Sequence, residues 1–127
     1  MRSKLSAKVL LGLISAVTIF HLCVITQIIP YTIVWGGLLK NEREMYIFEF
    51  FSILFNLFFG FIVLMKGGFI KHYFRKNVID IVLWLFICLF ILNTIGNLCA
   101  TTALEKMFSV LTLILAFLTW TLIRTEK

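Results

Sequence analysis

The stretch from Met45 to Met65, M-Y-I-F-E-F-F-S-I-L-F-N-L-F-F-G-F-I-V-L-M, limits this chain more than any other feature. About 20 predominantly apolar residues in a row cross the hydrocarbon core of a bilayer as a helix. A helix that is apolar nearly all round suits lipid or neighbouring helices. Glu49 is the one carboxylate in the run. On a helix, Glu49, Ser52, Asn56 and Gly60 fall on one face, and the other faces are Phe, Leu and Ile. A carboxylate in such a segment is costly to place and by default marks a functional site.

Three more apolar runs accompany it, approximately 9–29, 78–99 and 105–124. The chain is 61% hydrophobic and 14% charged, where a soluble domain is nearer half and a quarter. The expected fold is all-α: a single transmembrane domain over residues 1–127, an integral membrane bundle of four transmembrane helices. Residues 1–8 are a basic head. The first run is long and lacks an A-x-A cleavage site, so it reads as a retained span rather than a signal peptide. Pro30 is expected to stop its helix. Residues 30–44 read as an outer flap. Tyr31 and Trp35 suit a membrane interface, and Gly36-Gly37 permits a sharp turn. Residues 66–77 form a basic loop.

Charge placement orients the bundle. Arg2, Lys4, Lys8, Lys66, Lys71, Arg75, Lys76, Arg124 and Lys127 fall at one end, and Lys40, Arg43 and Lys106 at the other. The positive-inside bias then predicts both termini in the cytoplasm, N-in/C-in. The location read from this is an integral membrane protein of the bacterial inner (plasma) membrane. The same placement accounts for the net charge of +6 without nucleic acid. The three cysteines, Cys23, Cys88 and Cys99, contain no C-x-x-C and imply neither a disulfide framework nor a zinc site. No nucleotide-binding, zinc-protease or nucleophile-elbow motif occurs, and no cofactor is expected.

With that orientation most strongly polar spanning residues fall in the outer half. Glu49, Ser52 and Asn56 share a face of the second span, Asn93 and Asn97 a face of the third, and His21 and Gln27 lie towards the end of the first. Together with Trp35 from the flap they are the candidate lining of an outward-opening pocket. Glu49 is expected to face the interior, with Asn93 or Gln27 as its first candidate partners. The competing account is structural. Gly12/Ala16 and Gly96/Ala100 are small-residue pairs at helix-packing spacing, and Ser109, Thr112 and Thr119 can hydrogen-bond across helices. Asp80 is expected to pair with Lys76 at the surface.

The leading functional expectation is a small multi-pass membrane protein whose pocket binds or transports a small molecule, lipid headgroup or ion. One alternative is an interaction or accessory subunit whose polar helix faces mediate oligomerisation, with a homo-oligomer as the first partner to test. Another is a small membrane enzyme using Glu49 and His21. A polar stripe at a subunit interface would favour the first alternative. A Glu49–His21 contact inside an apolar cavity would favour the second.

Overall fold

The computed structural model describes residues 2–30, 40–99 and 103–124. They form helices α1 (Arg2–Ile25), α2 (Glu42–Lys66), α3 (Lys76–Leu98) and α4 (Ala103–Arg124). Each of the four is long and apolar enough to span a membrane. Large apolar side chains such as Phe50, Leu57, Leu85, Leu92, Val110 and Phe117 are exposed on the outside. Such a surface is compatible with lipid contact and far too apolar for a small water-soluble domain.

Local chemistry sets the helix ends. No breaker separates the basic head from the first run, so α1 begins at Arg2 rather than at Val9. It also ends earlier than expected, before Pro30 is reached. Gln27 takes a left-handed conformation at φ 63°, and its N–H donates to the Val24 carbonyl while the Ile29 N–H donates to that of Cys23. Those two bonds satisfy carbonyls that the last turn would leave open. The α2 helix starts at Glu42, ahead of Met45. Asn41 caps it, its Oδ1 accepting from the Glu44 N–H at 2.9 Å, and the Glu44 carboxylate reaches back to the Lys40 N–H at 2.8 Å. Glu42 and Glu44 in the first turn and Lys66 in the last complement the helix dipole. The flap lies largely outside the described residues, Trp35 with it.

Successive helices run antiparallel, and each packs on its neighbours in the ring α1–α2–α3–α4. A polar contact between described residues pins each seam. His21 meets Glu49 between α1 and α2, and Lys66 donates to Asp80 at 2.7 Å between α2 and α3. Thr94 and Thr112 meet at 2.7 Å between α3 and α4, and Ser6 and Thr121 at 3.2 Å between α4 and α1. Asp80 therefore pairs with Lys66 of the neighbouring helix, not with Lys76 one turn away on its own.

The apolar core is divided. A large cluster around Leu10, Phe59, Ile62, Leu83, Phe86 and Leu122 fills the half of the bundle that carries the basic residues. A small one, Val24 and Met45 with Phe20 and Leu104, lies near the other end. Ser52 and Asn56 of α2, Asn93 and Asn97 of α3, and Glu105 and Thr112 of α4 fall between the two.

Candidate functional site

Between the two apolar clusters lies a cavity of about 310 Å³. Its floor is the top of the large core, where Ile14, Phe86, Phe90 and Leu115 meet. Its walls are aromatic, with Phe20, Phe55 and Phe108, and into them are set His21, Ser52, Asn56, Asn93, Asn97, Glu105 and Thr112. An apolar enclosure with a few convergent polar groups is the usual form of a small-molecule site, and this volume sits at the small end of the range.

Each polar group is placed by its helix. Ser52 and Asn56 share a face of α2, as their spacing requires, and Asn93 and Asn97 share a face of α3. The Asn56 Nδ2 is buried and has no hydrogen-bond partner among the described residues. A buried amide N–H without an acceptor is costly, and a turn of the cavity-lining Asn56 amide that brings Nδ2 to the open space and a ligand oxygen would relieve that cost.

Glu49 lies one layer behind the wall. It is fully buried on the α1 side of α2, and its Oε1 is 2.5 Å from the His21 Nδ1. A buried carboxylate is tolerated when hydrogen bonds meet it, and the imidazole supplies one. An ionised carboxylate only accepts, so Nδ1 then carries a proton, and in a neutral imidazole Nε2 holds the lone pair. His21 itself lines the cavity, with no second hydrogen bond among the described residues.

The sequence-based candidates thus divide. His21, Ser52, Asn56, Asn93 and Asn97 converge on one cavity. Glu49 faces the interior as expected, but its contact is His21 rather than Asn93 or Gln27. Gln27 is exposed past the end of α1, and its Nε2 donates to the Tyr46 hydroxyl at 3.3 Å, away from the cavity. Trp35 falls outside the described residues. Glu105, buried in the first turn of α4 and lining the cavity, was not among the candidates. The signal for it was present: Glu105 and Thr112 share a helix face at i, i+7.

Neither glycine of the small-residue pairs makes a close helix contact within the chain, and Ala100 lies outside the described residues. A Cβ at Gly12 or Gly96 would meet nothing within 4 Å. Ser109 and Thr119 donate to carbonyls of their own helix, and Thr112 alone of that stripe is seen reaching another helix. No group of three or more His, Cys, Asp and Glu residues able to hold a metal occurs among the described residues.

Comparison with known proteins adds no name. No family model, curated protein or solved structure matches the chain.

Proposed function

We propose that this chain is a membrane-embedded binding protein whose cavity takes a small, largely apolar molecule bearing a polar group. The observation that carries this reading is an aromatic-walled cavity lined by Asn56, whose Nδ2 has no hydrogen-bond partner among the described residues. The phenyl rings suit an apolar body, and Asn56, Asn93 and His21 suit a polar end. An ion as sole occupant fits less well, because most of the lining is carbon. Transport is a further step of the same reading. It requires the cavity to face both sides in turn.

The basic end of the bundle is taken as cytoplasmic. The cavity then lies in the outer half of the membrane, and both termini are inside.

The test is extraction. The full chain is purified in mild detergent, its organic extract is analysed by mass spectrometry, and the result is compared with Asn56→Leu. One species retained by the unmodified chain and depleted roughly tenfold in Asn56→Leu supports the reading, that ratio matching about 1.4 kcal/mol of lost affinity. Identical extracts contradict it.

The His21–Glu49 contact favours a second reading, a small membrane enzyme. A carboxylate that holds one imidazole nitrogen leaves the other poised as a proton acceptor at the cavity wall. In that case His21→Gln retains the bound species while the chain no longer converts it. In the binding reading the species is recovered unchanged from both proteins.

A further inference from the structure

The cavity has one incomplete wall. On the α1/α2 side it is closed by the His21–Glu49 contact, and a Cβ on Gly60 would come within ordinary van der Waals distance of Leu11 and Ile14 of α1. On the α4/α1 side the Phe20 and Phe108 rings pack at a tilt of 53° with centroids 4.6 Å apart. On the α3/α4 side Thr94 and Thr112 are bonded. The α2/α3 side differs. Lys66 and Asp80 pin its far end, and Phe59 packs on Phe86 and Phe90 at 4.8 and 5.2 Å. Beyond Phe59 and Phe90 the two helices present Phe55, Leu89 and Asn93, which line the cavity and are exposed at the same time. Phe55 is 55% and Leu89 44% exposed, more than a cavity this small accounts for.

The geometry points to a lateral portal between α2 and α3, through which a neutral, single-chain lipid enters from the bilayer. This rests on the binding reading above and names its ligand class and route. The polar head lies among Asn56, Asn93 and His21, and the chain leaves across Phe55 and Leu89 into the membrane. Three observations select that occupant. The volume is at the low end for a complete ligand, so a head and the first carbons fit while the rest stays outside. The Asn56 Nδ2 is a donor and calls for an acceptor oxygen, which an ammonium head cannot offer. Glu105 lines the cavity and no Lys or Arg does among the described residues, so an anionic head would meet a carboxylate and no cationic partner. An ester carbonyl and a hydroxyl, as in a monoacylglycerol, satisfy all three.

The test uses the full chain in phosphatidylcholine vesicles. The probe is a long-chain monoacylglycerol with a photoreactive diazirine on the carbons next to the ester. Labelled residues are mapped by mass spectrometry in the unmodified chain, in the seam-filling double variant Phe55→Trp/Leu89→Trp, and in the control Leu92→Trp on an outward face of α3. Circular dichroism and elution volume establish that each variant folds. The expected result is labelling of cavity residues such as Phe20 and Phe86. It falls roughly tenfold in the double variant and is unchanged in the control. Cavity labelling that survives the double variant overturns the portal and leaves the binding reading standing. An unlabelled cavity in a chain that still carries a co-purified molecule overturns the lipid class. An unlabelled cavity with no co-purified molecule overturns the binding reading as well. Cross-linking of two copies through a photoreactive residue placed at Phe55 would make the seam a subunit interface and overturn the portal.

Discussion

Glu49 is fully buried with the His21 imidazole at 2.5 Å, so substitutions there separate charge from shape. Glu49→Gln retains the side-chain length and can donate its amide N–H to Nδ1. The hydrogen bond then survives, but the imidazole tautomer is reversed, and Nε2 turns from acceptor into donor at the cavity wall. The expected outcome is a thermal midpoint close to that of the unmodified chain together with altered retention of the cavity molecule. Glu49→Leu removes the acceptor, leaves His21 without its bond, and should cost about 1–3 kcal/mol in a denaturant titration. Equal destabilisation by both substitutions would mean that the charge of Glu49, and not its hydrogen bond to His21, holds α1 to α2.

At the scale of helices, the glycines show which contacts are tight. A Cβ on Gly67 would lie 2.8 Å from the Cβ of Ala7 in α1 and 2.9 Å from the Phe69 ring. The Ala7 atom is fixed to a helix backbone and cannot swing away, so Gly67→Ala should cost about 1–3 kcal/mol by overpacking. Gly12 and Gly96 have open space, and Gly12→Ala should stabilise α1 by about 0.5–1 kcal/mol through helix propensity alone. Unfolding of the two variants side by side checks both signs. This contrast also marks how far the sequence could be read. Small residues at four-residue spacing suggested packing at Gly12 and Gly96, yet spacing does not say which face turns inward, and both face open space. The apolar runs and the shared face of Ser52 and Asn56 were legible because helical period alone places them. Gln27 was misplaced because α1 was expected to run to Ile29. The left-handed residue that ends it is a glutamine, a type with no special preference for that conformation. Glu105 was passed over because a charge at the end of an apolar run reads first as a boundary. The Glu49–His21 contact needed the relative rotation of two helices, which no single-helix pattern contains.

For the whole molecule, the charge asymmetry and the divided core line up along one axis. The basic end carries the large apolar core and the Lys66–Asp80 pair, and the opposite end carries the acidic helix starts and the cavity. The proposed orientation predicts that, with Cys23, Cys88 and Cys99 replaced, Asn41→Cys in intact cells reacts with an impermeant thiol reagent and Lys71→Cys does not. Labelling at Lys71 alone would turn the cavity towards the cytoplasm. The binding reading itself meets its most direct test in an experimental structure of the full chain taken from its native membrane without added ligand. Density in the cavity with an oxygen within hydrogen-bond distance of the Asn56 Nδ2 is the predicted result. A cavity collapsed by contact between Phe55 and Phe90, or filled by a second copy of the chain, would contradict it.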